Sequence, residues 1–145
     1  MRKQKVFLDS SVIIAALLSA RGGSFFLLSQ LRGYFLFEIN QYVFTEVQEV
    51  LKTKFKAQPQ LQNNFFLLLG LAEVKTTPNP ARKEVKAAAR LISKEDAPIL
   101  ASALGGSNYL VTLDNEFFKP LVIQAAEKKG LQILKPGDLI RKTER

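Results

Sequence analysis

The run "KEDAPILASALGGSNYLVTLDNEFF", residues 94–118, decides the fold. It reads as a helix, a small-residue turn and a strand in direct succession. Pro98 is tolerated in the first turn of the helix, where its missing N–H has no partner to lose, and Gly105 and Gly106 end it. "YLVTLD", residues 109–114, reads as a short buried strand. An acid closes this strand, Asp114, and another, Asp96, sits in the first turn of the helix before it.

The same grammar extends in both directions. "KVFLD" (5–9) is a short buried strand closed by Asp9, and "SVIIAALLS" (11–19) starts a helix. "GSFFLLSQLRG" (23–33) is a second helix with Ser24 as N-cap and Gly33 as its stop, and "YFLFEI" (34–39) is a strand. Asn40 caps "QYVFTEVQEVLKTKF" (41–55), in which Val43, Val47, Val50 and Leu51 recur at helical spacing. "LQNNFFLLLGLAE" (61–73) is a further helix, "VKTTPNP" (74–80) a loop, and "ARKEVKAAARLIS" (81–93) a basic, alanine-rich helix. "FFKPLVIQAAEKKG" (117–130) is mostly helix, "LQIL" (131–134) the last strand, and "KPGD" (135–138) a turn. Alternating strands and helices predict an α/β fold: a central, mostly parallel sheet of four to five strands, covered on both faces and reached by right-handed crossovers. The 145 residues are expected to form one domain, 1–145, burying roughly two-thirds of the surface of the unfolded chain.

In such sheets ligands bind beyond the C-terminal strand ends, and there the acids gather. Asp9 and Asp114 project from one edge of the sheet, and the helix begun near Asp96 runs back antiparallel, so its start faces that edge too. Glu46 is the fourth candidate. At 100° per residue from Val43, the apolar stripe of its helix spans about −20° to 120°, which puts Glu46 at about −60°, on its border, and Glu49 at about −120°, facing water. Each acid also has a plainer reading: Asp9 as a helix cap, Asp96 in a capping box with Ser93, Asp114 in an Asx-turn, Glu46 as one acid on an amphipathic helix. Taken together they point further, because a chain with only four aspartates places three at one sheet edge. Carboxylates that close raise each other's pKa unless a cation compensates, so a bound divalent ion is expected, magnesium or manganese for an all-oxygen ligand set.

Composition removes competing chemistries. With no cysteine there is no disulfide, thiolate nucleophile or zinc-thiolate site, and with no histidine the commonest general base and the serine and cysteine triads are gone. Catalysis then rests on carboxylates, lysines, hydroxyls or a hard metal ion. A reducing, cytoplasmic location is expected. The net charge of +8 is spread evenly, 8 basic and 4 acidic groups in residues 1–72 against 13 and 9 in 73–145, and favours a polyanionic partner, nucleic acid first. Asp9 splits the N-terminal apolar run, at about 2.5–3.5 kcal/mol for an Asp in mid-membrane, so neither a signal peptide nor a membrane span is expected.

"VFLDSSVIIAALLS", "TEVQEVL", "KEDAPILASALGGSNYLVTLDNEFF" and "LQILKPGDLI" together resemble the PIN domain family over nearly the whole chain. The resemblance implies a three-layer α/β/α nuclease fold and a metal-dependent ribonuclease leaving 5′-phosphate and 3′-hydroxyl ends. The branch it looks most like is the VapC-like toxin of type II toxin-antitoxin pairs. Carried over by position, Asp9, Glu46, Asp96 and Asp114 form the acidic quartet that is both catalytic and metal-binding, with Mg2+ or Mn2+ as cofactor. Glu116 is a candidate outer ligand, and Ser11, Thr112 and Asn115 are candidate substrate contacts. The chain departs from the family pattern at Ser11, where an asparagine is frequent, and at Asn115 and Glu116, where a further acid often follows the Thr-x-Asp. An antitoxin covering the acidic cleft and a homodimer are implied partners.

The inventory and the resemblance agree on a metal-activated water attacking phosphorus in line. Arg21, Lys52, Lys54, Lys56, Lys94 and Lys119 are candidate contacts to an RNA backbone. A DxD phosphatase would want an aspartate at position 11, and a phosphorelay receiver an acidic pair at the end of the first strand. The alternative of a different class is an RNA-binding or assembly protein of the same fold without significant nuclease activity.

Overall fold

The structure, a computed structural model, describes residues 2–144. A five-stranded, wholly parallel sheet forms its centre, in the order β3-β2-β1-β4-β5. The strands are β1 (Gln4–Leu8), β2 (Phe35–Asn40), β3 (Lys75–Thr77), β4 (Tyr109–Val111) and β5 (Gln132–Leu134). Between them run α1 (Ser10–Leu18) and α2 (Gly23–Gln30), then α3 (Gln41–Lys54) and α4 (Gln60–Leu71), then α5 (Arg82–Ala88) and α6 (Ala97–Leu104), and finally α7 (Pro120–Lys128). α8 (Pro136–Thr143) follows the last strand, and a 3-10 turn, Asn115–Phe118, follows β4.

The strand order fixes the layers. From β1 to β2 to β3 the chain steps one way across the sheet, and from β3 it returns over the far side to β4 and continues to β5. Right-handed crossovers therefore put α1–α4 on one face and α5–α7 on the other. Packing agrees, with α1, α2, α3 and α4 in mutual contact, α8 against α2, and α5 against α6. This is the three-layer α/β/α architecture expected from the alternation. One contiguous core runs through it, including Val6, Leu8, Ile39, Leu100 and Leu110, none of which has any exposed surface.

Asn40 ties the layers together. It is wholly buried, its Oδ1 accepts from the Val43 N–H at 2.9 Å to cap α3, and its Nδ2 donates to Pro98 O (3.1 Å) and Ser102 Oγ (2.8 Å) on α6. One side chain thus satisfies an orphan helix donor and fixes the start of α3 against the first turn of α6.

Several local expectations are corrected. Residues 75–77, expected within a loop, form the edge strand β3, paired with Glu38, Ile39 and Asn40 of β2. The "KPGD" turn is the first turn of α8, with Pro136 at its start, where a missing N–H has no intrahelical partner to lose. α2 starts at Gly23 with Gly22 as its N-cap, so Ser24 is a buried residue inside the helix, and its C-cap is Leu31, ahead of Gly33. The basic helix expected over 81–93 is regular only over Arg82–Ala88. Among the described residues no single helix is long and apolar enough to cross a membrane.

Candidate active site

β1 and β4 are hydrogen-bonded neighbours, yet the chain leaves them in opposite directions across the sheet, which makes their C-terminal ends the topological switch point where an open α/β sheet leaves a crevice. The register Leu8↔Val111 sets Asp9 beside Thr112, and the Asp9 N–H donates to Val111 O at 3.0 Å.

Asp9 is only 3% exposed. Its backbone begins α1, but its side chain makes no capping bond to the helix. Instead Oδ2 accepts two hydroxyls, Ser11 Oγ at 2.7 Å and Thr112 Oγ1 at 2.7 Å. Both hydroxyls are engaged a second time: Ser11 Oγ accepts from the Leu113 N–H (3.1 Å) and Thr112 Oγ1 from the Asp114 N–H (3.0 Å). Thr112 is fully buried and offers no surface to a ligand. The hydroxyls expected to meet substrate are turned to Asp9 and to the backbone of the 112–114 segment.

Asp114 lies half-buried at the head of the 3-10 turn, where its Oδ1 accepts from the Glu116 N–H at 2.9 Å. The expected Asx-turn is present and leaves the second oxygen outside this bond. Glu46 is half-buried on α3 while Glu49 is exposed, as the helical angles predict. It is held by Ser10, whose Oγ donates to Glu46 Oε1 at 2.6 Å. Asp96 directly precedes α6 and pairs with Ser93, whose Oγ donates to Asp96 Oδ2 (3.1 Å) and accepts from the Asp96 N–H (3.3 Å). Asn115 is exposed at the start of the 3-10 turn. Glu116 is exposed and paired with Lys119 at 2.7 Å, so both are already engaged in a surface ion pair.

Three of the four acids are pushed above the ordinary carboxylate range. Burial lifts Asp9 first; the Ser11 and Thr112 hydrogen bonds oppose it, and the charge of Asp114 adds to it. Burial likewise raises Glu46, opposed by the Ser10 bond and reinforced by Asp9. Asp96 is pushed up to about 6, chiefly by burial, with Asp114, Asp9 and Glu46 all raising it against the Ser93 bond. The four therefore sense one another as like charges in one crevice. Among the described residues no lysine or arginine forms an ion pair with any of them, although the chain carries a net +8.

Such a set, all oxygen and lacking a basic counter-charge, suits a hard divalent cation. Among the described residues no three carboxylates approach closely enough to enclose an ion by themselves. That spacing fits an ion of the magnesium type, which keeps several of its own waters and takes one or two carboxylates directly.

Residues 6–120 match the PIN domain family. The chain belongs to that family. PIN domains are generally nucleases and generally use divalent metal ions. The fold is similar to that of VapBC2 from Rickettsia felis, solved bound to a DNA fragment from their promoter, at a TM-score of 0.65 and 19% identity, over 90% of this chain and 98% of that one. It is equally similar to PAE2754 from Pyrobaculum aerophilum, at a TM-score of 0.67 and 19% identity, over 98% of this chain and 91% of that one. No curated protein matches the chain in sequence.

Two features of this PIN domain site had no sequence signal strong enough to single them out. Ser10 adjoins Asp9 in the chain, but its partner Glu46 is 36 positions away. Tyr42, one helical turn before Glu46 on α3, is held at both ends: its N–H donates to Asn79 Oδ1 (2.8 Å) and its hydroxyl to Glu95 O (2.7 Å). Burial pushes that hydroxyl up, and the charges of Glu46, Asp96, Glu95 and Asp9 push it the same way. Its spacing to Glu46 is the one clue available in the sequence.

Proposed function

We propose that this chain is a single-domain, metal-dependent endoribonuclease, using Mg2+ or Mn2+, whose working groups are Asp9, Glu46, Asp96 and Asp114. The observation that carries the reading is the gathering of four carboxylates at the β1/β4 switch point with no basic partner. A divalent ion held among them would lower the pKa of a bound water and neutralise charge at the scissile phosphate. The chain's own residues supply position. Ser11 and Thr112 hold Asp9, Ser10 holds Glu46, Ser93 holds Asp96, and the Asx-turn orients Asp114. Exposed Arg21, Lys52, Lys54, Lys56 and Lys94 are candidate contacts to the RNA backbone, offsetting the repulsion between the acids and a polyanion.

The reading extends to a toxin role with an antitoxin partner, supported by the likeness to VapBC2 and by apolar surface. Leu18, Phe26, Phe66, Leu67 and Leu71, on α1, α2 and α4, are each between 45% and 63% exposed, a concentration that suits a covering protein. A cytoplasmic location and a homodimer belong to the same proposal.

The test is cleavage of a mixed single-stranded RNA pool with magnesium, with manganese and with EDTA, beside Asp114→Asn. Cutting that needs metal and disappears in the variant is expected. A folded wild type that cuts under no condition would replace the enzyme with an RNA-binding or assembly role.

A further inference from the structure

Beside the acids lies a groove of about 490 Å³, bounded by the first turn of α3, the loop at 79–80, α5 and the start of α6. Its surface is mostly carbon, with Tyr42, Val85 and Pro98 among the apolar residues, while Arg82, Lys86 and Lys94 bring three exposed cations to it. None of the three is ion-paired among the described residues. The groove adjoins the crevice directly: Ala97 lines it and follows Asp96, and Tyr42 lines it one turn before Glu46. Tyr42 cannot swing freely, since Asn79 fixes its backbone and Glu95 its hydroxyl. An aromatic wall held in place and a cationic border match the two halves of a nucleotide, a flat apolar base and an anionic phosphate.

We propose that this groove holds one unpaired nucleotide of the RNA next to the cleaved bond, its base against Tyr42 and its phosphate toward Arg82, Lys86 and Lys94. The inference rests on the nuclease reading above and makes it narrower. A base reaches such a groove only when splayed out of a stack, so the substrate class is single-stranded or looped RNA and duplex is rejected. The volume lies within the range of ordinary small-ligand sites, about 300–1,000 Å³, which accommodates one nucleotide and not a helix of protein or RNA. Charge selects the occupant further. A neutral or basic peptide gains nothing from three unpaired cations, whereas a strand that must continue to the acids brings a phosphate at each step.

The experiment measures equilibrium binding of a short fluorescent single-stranded RNA in magnesium. Asp114→Asn is the non-cutting background, alone, with Tyr42→Leu, and with Arg82→Gln plus Lys86→Gln. Tyr42→Leu is expected to weaken binding about tenfold without changing its salt dependence. The double glutamine variant, altered only at exposed positions, should lower the slope of log affinity against log salt by about 1.4, the value for two lost phosphate contacts on a single strand. Duplex RNA of the same sequence should bind more weakly and be indifferent to Tyr42. Affinity and salt slope unmoved by both sets of substitutions, or a duplex that loses as much as the single strand, would overturn the proposal and leave the groove to a different partner. The two readings fail separately. A wild type that cuts RNA but is indifferent to these substitutions keeps the enzyme and removes the groove. One that cuts nothing yet binds single strands through Tyr42 and the two cations keeps the groove and removes the enzyme.

Discussion

Replacing Asp96 by asparagine should make the metal-free protein more stable at neutral pH. The folded carboxyl is pushed from 3.8 to about 6. A shift of roughly 2 units corresponds to about 3 kcal/mol between protonation states. The side chain is only half-buried, so solvent screening reduces this to about 1–2 kcal/mol. Loss of a carboxylate at the start of α6 takes back a further few tenths, through the helix dipole. Asparagine keeps an oxygen to accept the Ser93 hydroxyl, so the local hydrogen bond survives. The sign follows from linkage. With the folded pKa raised above the unfolded one, both states are protonated below about pH 4, wild-type stability falls as pH rises from about 4 to about 6, and the full penalty stands above that. The variant, neutral throughout, escapes it. Urea unfolding in EDTA should therefore give equal midpoints for the two proteins near pH 4 and a variant more stable by about 1 kcal/mol at pH 8. A variant that is less stable at pH 8, or a gap independent of pH, would refute the account of four mutually repelling acids.

Three further outcomes follow from the same geometry. Thr112→Val removes the hydroxyl that joins Asp9 to the Asp114 N–H and should cost about 2–4 kcal/mol in urea unfolding at pH 7; a loss below 1 kcal/mol would mean that the bridge does not hold the carboxylate. Magnesium at about 100 times its dissociation constant should stabilise the wild type by about 2.7 kcal/mol, visible as a raised Tm, and leave a protein carrying both Asp9→Asn and Asp114→Asn unshifted; an equal rise in both would place the ion elsewhere. Asn40→Ala should cost about 2–3 kcal/mol in thermal or urea unfolding, since it uncaps α3 and strips two hydrogen bonds from α6, and no change would deny Asn40 its tie between the layers.

What could be read from the residues followed how locally each feature is determined. β1 and β4 are apolar runs closed by an acid, and their neighbouring helices carry their own punctuation, so the sheet and the position of Asp9 and Asp114 were legible. Glu46 was separable from Glu49 because helical angle is itself local. β3 was not legible: "KTT" is an edge strand of three polar or half-polar residues whose only strong partner is β2. α8 was hidden because Pro136 and Gly137 look like a turn and become a helix start only once Leu139 finds the core. The hydroxyls of Ser11 and Thr112 were recognised as belonging to the site, but whether a hydroxyl points at a ligand or at a carboxylate depends on a register between β1 and β4 that no local pattern encodes. Ser10 and Tyr42 escaped for the same reason, since their partners are set by how helices meet.

The central position of β1 has a consequence in time. Its neighbour β4 lies about a hundred residues later, and the Thr112 hydroxyl that holds Asp9 is 103 positions from it. During synthesis, which releases about 5–20 residues each second, β1 and β2 have emerged and can pair several seconds before β4 exists. Throughout that interval one edge of β1 is bare and Asp9 lacks Thr112 and Asp114. The acidic crevice is thus the last part of the sheet to close. A growing chain of this kind carries no assembled site until most of it has been made, and an arrested fragment ending before residue 109 carries none at all.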